Sequence, residues 1–400
     1  MAYSESLSQS AFYRYLIPAF LILLSFTGCS QNSVSGHIVL SDVDFKPVVY
    51  LLEPTGFSSL VSSYECKVVD SAEINEAGDF RFDKFSAPEK EGIFLLAIQK
   101  KGEKYLNRLE NNHPDSGNYI PFLLKKGYPV EIRSESGAFL RNGQIASTLE
   151  GNRDILVLIA NRSRLFKQFL SDQAEVNEEN LLENEKSLYN FQQQLVESVM
   201  GSQDLYVLAL ALQWAGIKGD YERIPELVKA TCKGMSAIEP EHVWTQQVCK
   251  KSGGLPLTPG DAFPDFMMPM TDGDTISLRS LLGSQLTIID IWASWCAPCR
   301  KENRNTLVPL WDNFHDSGLQ IIGYALESER VVWLNAIKRD GADRWPHASH
   351  MEGDTSPFLD LLKITTIPAN YILDRNGVIL AKNLHGKELE EWVTGKVGKE

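Results

Sequence analysis

Two cysteines are the residues of this 400-residue chain whose type and spacing are best suited to chemistry. Cys296 and Cys299 lie in the segment IDIWASWCAPCRKE, residues 289–302, separated by Ala297 and Pro298. A spacing of three places both sulfurs on one face of a helix, close enough to form a disulfide. The pair could therefore pass electrons as a dithiol and a disulfide, bind a metal, or pack as two small side chains.

The sequence around the cysteines favours a reactive first thiol. The continuous apolar run QLTIIDIW predicts a buried strand, and the following CRKENRNTLVPLWDNF predicts a helix that Pro309 kinks. Cys296 then lies at a helix N-terminus, where the helix dipole and unpaired N–H groups stabilise a thiolate. Asp290, inside the predicted strand, needs a role, because burying a carboxylate costs several kcal/mol unless it is paired or neutral.

A metal site has weaker support. Zinc needs about four ligands, usually from a second cysteine pair or a histidine pair. His347 and His350 form such a pair in HASHM, but a predicted strand and helix separate them from the cysteines. Met267, Met268 and Met270 could handle copper, although they more simply belong to a lead-in strand. We predict no bound metal.

Three further cysteines leave several interpretations open. Cys232 and Cys249 each lie near the end of a predicted short helix. In an oxidising compartment they would form a structural bridge that closes a loop of about 18 residues and contributes about 3 kcal/mol. Two buried free thiols, or a second redox pair, are the alternatives. Cys66, in a strand-like run, is most simply a small buried apolar side chain.

The start of the chain indicates export. An apolar run at residues 16–26 follows Arg14, and it is too short for a membrane-spanning helix, which needs about 20 residues. It matches the apolar region of a signal peptide and ends in FTGC, which resembles a bacterial lipobox. We therefore expect residues 1–28 to be a lipoprotein signal peptide, Cys29 to be the lipidated anchor, and residues 29–35 to be a linker. An ordinary secretory signal with a chance cysteine is the alternative.

Composition limits the function classes. The chain is 43% apolar and 10% aromatic, and its length suggests two or three domains. A net charge of −13 argues against a nucleic-acid partner, because phosphate binding needs clustered Lys and Arg. Six cysteines over this length do not make a disulfide-rich scaffold.

The chain divides into three predicted regions after the linker. Short β-rich runs separated by turns predict a small β-sandwich-like domain over residues 36–135. Apolar residues at helical spacing predict an α-helical segment over residues 150–252. A Gly- and Pro-rich linker then leads to an α/β region, residues 257–400, which contains the cysteine pair. In this last region Ile367-Pro368 precedes a predicted strand, and a cis peptide bond is plausible there.

The α/β region resembles a known family. The segments GDAFPDF, GDTISLRSLLG, IDIWASWCAPCRKE and TTIPANYILDRNGVI occur in this order. They are similar to the thioredoxin-like domain of the TlpA/ResA group of membrane-attached thiol–disulfide oxidoreductases, over a little over a third of the chain. The frame that surrounds the cysteine of a peroxiredoxin is absent. More loosely, the layout resembles lipoproteins of the Bacteroidetes with a β domain and a helical segment in front.

The resemblance implies a set of redox residues. It makes Cys296 the exposed nucleophile and Cys299 the buried resolving thiol, in a redox-active disulfide that needs no other cofactor. Glu302 corresponds to an acid that tunes the two thiols. Asp290 corresponds to the buried acid that takes the proton of the resolving cysteine.

The resemblance also implies a substrate-binding side. Pro368 corresponds to the cis-proline of the family, and Ile367 offers backbone hydrogen bonds to a bound substrate strand. Trp295, next to the first cysteine, is expected to contact the substrate.

These observations together predict a lipid-anchored protein of the cell envelope that faces the periplasm. We expect it to reduce disulfides of exported proteins, including oxidised cytochrome thiols, because Ala297 and Pro298 add no positive charge that would favour an oxidant. Such a reductase needs a membrane electron donor. The front regions are expected to select clients or to form a homodimer. The alternative is a binding or scaffolding lipoprotein with a non-catalytic thioredoxin-like domain.

Overall fold

The computed structural model describes residues 34–41, 44–111, 113–171, 177, 180–216 and 219–397. The predicted signal peptide and the predicted anchor Cys29 lie outside these residues. Within the described ranges, no helix combines the length and the apolar character that a membrane crossing requires.

The N-terminal region forms two four-stranded sheets. Their strands are β1 (Val34–Val39), β2 (Phe45–Glu53), β3 (Lys67–Glu73), β4 (Asp79–Arg81), β5 (Gly92–Lys100), β6 (Tyr119–Leu124), β7 (Val130–Glu135) and β8 (Gln144–Ala146). The orders are β4-β1-β7-β8 and β3-β2-β5-β6, and the β1–β7 pair is parallel. One buried cluster contains side chains of both sheets, such as Ile38, Ile132 and Leu96. The first sheet is thus mixed, and the sandwich-like arrangement stays a prediction.

Five helices follow the sheets in the described part of the chain. They are α1 (Glu150–Phe169), α2 (Leu181–Glu197), α3 (Leu205–Ala215), α4 (Pro225–Ile238) and α5 (Val243–Ser252). The sequence of α3, LYVLALALQWA, is apolar on every side, as is typical of a helix surrounded by protein. The amide group of Asn152 in α1 hydrogen-bonds both the N–H and the C=O of Leu123 in β6. The helices therefore pack directly on the second sheet.

The structure selects among the interpretations of the three extra cysteines. Cys232 of α4 and Cys249 of α5 are joined by a disulfide, with their Cα atoms 4.9 Å apart. Cys66 is a buried free cysteine whose thiol donates to the carbonyl of Ser59 at 3.1 Å. Burial, with a smaller contribution from the negative charge of Glu65, raises the pKa of this thiol to about 12. Cys66 is thus an unreactive part of the core.

The bridge between α4 and α5 is expected to stabilise the fold without serving the chemistry. In a Cys232→Ser/Cys249→Ser double variant, the free energy of unfolding should fall by about 3 kcal/mol, because the unfolded chain regains the freedom of a loop with a sequence separation of 17. Urea denaturation of the oxidised proteins measures this difference. A Cys66→Ala variant, which removes a thiol but no bridge, is the control. An unchanged midpoint in the double variant would contradict a structural role.

The C-terminal region is built on a five-stranded sheet. Its strands and helices are β9 (Met267–Pro269), β10 (Thr275–Ser277), β11 (Leu286–Trp292), α6 (Ala297–Glu302), α7 (Val308–Phe314), β12 (Leu319–Ala325), α8 (Arg330–Asp340), β13 (His347–Ala348), α9 (Pro357–Leu362), β14 (Ala369–Asp374), β15 (Ile379–Lys382) and α10 (Gly386–Val397). The strand order is β13-β12-β11-β14-β15, with β9 and β10 in a separate pair. Every residue of β11 is buried, and this central strand leads directly to the cysteines.

The segment after the cysteines is helical, as predicted, and the disturbance near Pro309 takes the form of wider turns. α6 ends at Glu302 and α7 begins at Val308, and residues 303–307 between them form the wider turns. Pro309 has no N–H to donate to the preceding turn, and its ring crowds that turn. The chain accommodates it by widening the helix there, as π-bulges do, so the disturbance begins before the proline itself.

Candidate active site

The cysteine pair lies at the start of α6. Cys296 is the N-cap residue and Cys299 lies in the first turn, where Pro298 also suits the helix geometry. The two are joined by a disulfide, with their Cα atoms 5.3 Å apart. The backbone N–H of Cys299 points at the sulfur of Cys296 from 3.3 Å. This N–H group could donate a hydrogen bond to a thiolate at Cys296.

The two cysteines differ in exposure less than the family resemblance implies. Cys296 is 6% exposed and Cys299 is 1% exposed. In this oxidised state the sulfur of Cys296 is bonded back toward α6, which shields it. Its neighbour Trp295 is 64% exposed, an unusual position for such a large apolar side chain. The order of the two thiols agrees with the expected roles, whereas Cys296 is more covered than an exposed nucleophile.

The loop between β11 and the cysteines is held by a buried acid. Both the backbone N–H and the hydroxyl of Ser294 donate to the carboxylate of Glu327, which follows the end of β12. The side chain of Arg300 donates to the carbonyl of Ser294 at 3.1 Å. Sequence reasoning missed Glu327. The available signal was that β11 and β12 are parallel, so that their ends, and the residues that follow them, meet at one edge of the sheet.

A second buried acid fixes α6 against α8. Asp340 ends α8, and its side chain is fully buried. It accepts hydrogen bonds from Arg300 at 2.8 Å and from Arg304 at 2.7 Å, and Arg300 makes a further contact with its other oxygen. Sequence reasoning missed this cluster too, although Arg300 and Arg304 are four residues apart and share a helix face.

The Asp340 cluster carries a stability prediction. An Asp340→Ala substitution should lower the free energy of unfolding by about 3 kcal/mol, because it leaves the largely buried Arg300 guanidinium without its counter-charge. Urea denaturation at pH 7 is the measurement. Asp312→Ala is the matched control, since its ion pair with Arg344 is exposed and worth at most about 1 kcal/mol. Equal losses in the two variants would contradict a special role for the buried cluster.

Two acids predicted as site residues are brought together in the interior. Asp290 of β11 and Glu302 at the end of α6 are both buried. Burial, and then the nearby negative charge of Glu302, raise the pKa of Asp290 well above its ordinary value. The carboxylate of Glu302 accepts from the backbone N–H of Gly386, at the start of α10, at 2.9 Å. With its raised pKa, Asp290 beside Glu302 can take a proton in its ionised form and give one in its neutral form.

A histidine joins this pair. Nδ1 of His385 lies 3.8 Å from Oε1 of Glu302, and the side chain is largely buried. Within the described residues, neither ring nitrogen of His385 has a hydrogen-bond partner. No local pattern predicts this contact, because His385 and Glu302 lie in different parts of the fold, 83 positions apart along the chain. The interior below the cysteine helix therefore contains three titratable groups.

The expected substrate-binding residues lie at the same end of the sheet. The Ile367–Pro368 peptide bond is cis. Ala369 at the start of β14 pairs with Ile291 near the end of β11, so Pro368 lies beside the point where β11 leads to the cysteines. The exposed Trp295 lies in that connecting loop. The residues named from the resemblance thus converge at one edge of the C-terminal sheet.

The two histidines considered for metal binding have other partners in the described structure. His347 is buried, its Nε2 lies 2.8 Å from the carbonyl of Ala342, and burial lowers its pKa to about 4. His350 instead contacts the hydroxyl of Tyr324 at 2.6 Å. Met267 is exposed whereas Met268 is buried. Over the ranges that the structure describes, no three or more His, Cys, Asp or Glu side chains are grouped as metal ligands.

Comparisons with known proteins concern this C-terminal region. The model of the AhpC/TSA family matches residues 259–382. ResA, a thiol–disulfide oxidoreductase of Oceanobacillus iheyensis, is 30% identical over 141 residues, which are 34% of this chain and 65% of that protein. The thiol:disulfide interchange protein DsbE of Allochromatium vinosum is 26% identical over 131 residues, covering 32% and 68%. The chain thus spans just under two thirds of the first of these relatives.

Solved structures give similar matches. The thioredoxin domain of a thiol–disulfide oxidoreductase from Bacteroides vulgatus is 27% identical, covers 35% of this chain and 99% of its own, and has a TM-score of 0.33. A thiol–disulfide oxidoreductase from Bacteroides fragilis is 28% identical, covers 34% and 98%, and has a TM-score of 0.32.

The family match bears on the fold prediction. The α/β region predicted from the motifs is confirmed as thioredoxin-like, whereas the family match does not reach the β and helical regions. The C-terminal region is therefore a thioredoxin-like domain that matches the AhpC/TSA family model over residues 259–382 and is similar in sequence to the thiol–disulfide oxidoreductases ResA and DsbE.

Proposed function

We propose that this protein is an envelope thiol–disulfide oxidoreductase that reduces disulfides of exported proteins through Cys296 and Cys299. One observation supports this most strongly: a Cys296–Cys299 disulfide at a helix N-terminus lies beside a cis-proline and above a buried acid pair. We further propose that a lipid on Cys29 attaches the protein to the membrane, with the folded part facing the periplasm.

The reaction begins with the reduced pair. The thiolate of Cys296 attacks one sulfur of a substrate disulfide, the substrate S–S bond breaks, and the other substrate sulfur leaves as a thiolate. A mixed disulfide now joins Cys296 to the substrate. The N–H of Cys299, 3.3 Å from the Cys296 sulfur in the oxidised state, is placed to stabilise the attacking thiolate.

The second thiol then releases the substrate. Cys299 loses its proton to the ionised form of Asp290, directly or through water, and attacks the Cys296 sulfur of the mixed disulfide. The second substrate sulfur leaves as a thiolate, and a Cys296–Cys299 disulfide remains. Two electrons have passed from the protein to the substrate, so a membrane electron donor must reduce the pair again.

The substrate is held beside the cis-proline. Backbone groups of Ile367 are placed to hydrogen-bond an extended substrate strand at the edge of the sheet, as in other strand-addition sites. The ring of Trp295 offers an exposed apolar contact. Pro368 cannot donate a hydrogen bond and keeps this edge open.

The residues near the pair favour reduction of clients over oxidation. A strong oxidant owes its character to a stabilised thiolate. Ala297 and Pro298 bring no positive charge to the cysteines, and the buried carboxylate of Glu302 disfavours a second negative charge nearby.

The clients we propose are oxidised cytochrome thiols and disulfides of other exported proteins. Client selection or homodimer formation is assigned to the β and helical regions.

A disulfide-reduction assay tests the proposed activity. The pre-reduced protein from Ser30 onward, freed of excess dithiothreitol, is mixed with oxidised insulin, and alkylation of new thiols is followed over time. We expect one insulin disulfide to be reduced per protein molecule, with the Cys296/Cys299 pair oxidised in step. A protein that binds insulin without reducing it would support the scaffolding alternative.

The lipid anchor needs its own test. The full chain is expressed in bacteria with an alkyne-labelled fatty acid, and membranes are separated from soluble fractions. The label and the membrane association should both depend on Cys29 and disappear in Cys29→Ser. Export of an unlabelled soluble wild-type protein would contradict the anchor.

A further inference from the structure

Polar contacts connect the helical region and the segment that follows it to the C-terminal domain. The contacts are those of Glu222 with Thr365 and Thr366, of Glu226 with Lys382, of Lys229 with Thr258 and Asp261, of Gly253 with Lys363, and of Lys186 with Glu388. Two of these contacts reach the loop that ends in the cis-proline. Lys363 meets Gly253 at the start of the loop, whereas Glu222 binds the residues directly before the proline.

Glu222 accepts three hydrogen bonds from this loop. Its Oε1 accepts from the backbone N–H of Thr365 at 2.7 Å and from the hydroxyl of Thr366 at 3.4 Å. Its Oε2 accepts from the hydroxyl of Thr365. All three donors lie within the three residues before Pro368. One carboxylate from another region of the chain therefore binds the backbone and side chains of the loop proposed to receive the substrate.

The position of Glu222 is itself well supported. Lys382 of β15 is buried at the seam, the set of contacts between the helical region and the C-terminal domain, and forms an ion pair with Glu226 at 3.3 Å. It also lies close enough to Glu222 for its positive charge to interact with that carboxylate. The neighbouring Arg223 is paired with Glu185 of α2 at 3.1 Å. Glu222 thus lies in the turn before α4, next to the ion-paired Arg223 and four residues before the ion-paired Glu226.

The loop that Glu222 holds is otherwise a connection between two elements. It runs from the end of α9 at Leu362 to the start of β14 at Ala369, and Lys363 begins it in a left-handed conformation. Thr365 and Thr366 are exposed to solvent. A connection of this kind moves unless its polar groups are fixed, and such motion would leave the backbone of Ile367 without one defined position.

We propose that Glu222 is a positioning residue for substrate binding, and that the helical region thereby forms part of the substrate site. Glu222 fixes residues 365–367 in the conformation that offers the Ile367 backbone to an extended polypeptide strand. This inference rests on the proposed function. A loop that is already ordered lowers the entropic cost of binding a polypeptide strand. Glu222 therefore strengthens the binding of polypeptide disulfides. Small disulfides, which need no strand contacts, do not depend on it.

Enzyme kinetics with two probes tests the proposal. The full mature chain in detergent, pre-reduced, is assayed against oxidised insulin and against bis(2-hydroxyethyl) disulfide. In single-turnover reactions of Glu222→Ala, we expect the insulin concentration that gives half the maximal rate to rise about tenfold, with the maximal rate within about twofold. The rate with the small disulfide should stay within about twofold. Glu222→Gln, which keeps one acceptor oxygen, should lie between the wild type and Glu222→Ala.

A matched control distinguishes an effect on the loop from a general weakening of the contacts between the two regions. Glu388→Gln removes the ion pair with Lys186, which joins the same two regions without touching the loop. It should behave as the wild type with both probes. The proposal is overturned if Glu222→Ala reduces insulin normally, or if it loses activity equally with both probes.

Hydrogen exchange gives a second measurement that does not depend on activity. In the oxidised protein, amide exchange over residues 363–368 should be at least about tenfold faster in Glu222→Gln and Glu222→Ala than in the wild type or Glu388→Gln. Equal exchange in all four proteins would show that Glu222 does not hold the loop. A wild-type protein that reduces neither probe would contradict the proposed function itself, and the exchange result still decides the role of Glu222.

Discussion

Replacing Cys299 by serine should turn the protein into a covalent trap for its substrates. The thiolate of Cys296 can still attack a substrate disulfide, but no second thiol is left to release the mixed disulfide. Release of reduced insulin should fall below detection, while a protein–insulin adduct accumulates. Non-reducing electrophoresis shows this adduct directly, and dithiothreitol should abolish it.

Three variants make this result specific. Cys296→Ser should form no adduct, because Cys299 is 1% exposed and cannot be reached by a protein disulfide. Cys296→Ser/Cys299→Ser should be inert. Cys232→Ser/Cys249→Ser should turn over like the wild type, because that bridge lies between α4 and α5 and not at the site. Adducts that form through Cys299 rather than Cys296 would reverse the assignment of the two thiols.

Replacing Asp290 by asparagine should slow the reaction and stabilise the protein at the same time. The substrate-release step needs a base for the Cys299 proton, and loss of such a group typically costs about 100-fold or more in rate. Rapid-mixing kinetics should show a normal first step and a slow decay of the mixed disulfide. A rate unchanged from the wild type would remove Asp290 from the mechanism.

The stability effect depends on pH in a defined direction. Burial and the charge of Glu302 raise the pKa of Asp290 above its ordinary value of 3.8, so the folded protein keeps a proton that the unfolded chain has lost. The folded state then binds more protons than the unfolded state, and the free energy of unfolding falls as pH rises from 3.8 toward the raised pKa. Asparagine does not titrate, so the free energy of unfolding of Asp290→Asn should exceed that of the wild type only slightly near pH 3.8, and by more as pH rises.

Urea denaturation at two pH values measures this. We expect Asp290→Asn to be more stable than the wild type by about 1–3 kcal/mol at pH 8, with a much smaller difference at pH 4. Asp312→Asn, which changes an exposed carboxylate, is the control and should show no such pH dependence. If Asp290→Asn is less stable than the wild type at pH 8, its carboxylate is stabilised in the folded state and our account of the acid pair is wrong.

The sequence was most informative where the structure is local. The strand, the cysteine spacing and the helix start that place Cys296 and Cys299 are all encoded within one short segment, and the run of apolar residues predicts that β11 is buried. The spacing of three alone brings the sulfurs together. The cis bond at Pro368 was foreseen because proline is the residue at which such bonds occur and because Pro368 corresponds to the cis-proline of the family that the region resembles.

Contacts between distant parts of the chain could not be predicted. Glu327 reaches Ser294 in the loop before the cysteines from 33 positions away, and Asp340 reaches Arg300 of the cysteine helix from 40. Glu222 reaches Thr365 across 143 positions. Each is a charged residue in a polar stretch, and nothing local distinguishes it from a solvent-exposed one. Only the packing of the elements decides which acids become buried.

Two further differences have a physical reason. The pairing of Cys232 with Cys249 stayed open in the sequence, because bridged and free thiols suit the same helix ends. The helix after the cysteines was expected to kink at Pro309, but the chain widens over residues 303–307 to avoid the proline ring. The proline in the sequence shows where the helix is disturbed, whereas the packing around the helix decides whether it kinks or widens.

The measurement that tests the central claim most directly is the equilibrium redox potential of the Cys296/Cys299 pair. The protein is titrated in dithiothreitol buffers and read by thiol alkylation, in the Cys232→Ser/Cys249→Ser background so that only one pair reports. We predict a reversible two-electron disulfide with a potential near or below about −250 mV, in the range of thioredoxin. A value near about −120 mV, typical of strong oxidants, would make this a disulfide-forming protein, and a pair that never forms a reversible disulfide would contradict the redox account altogether.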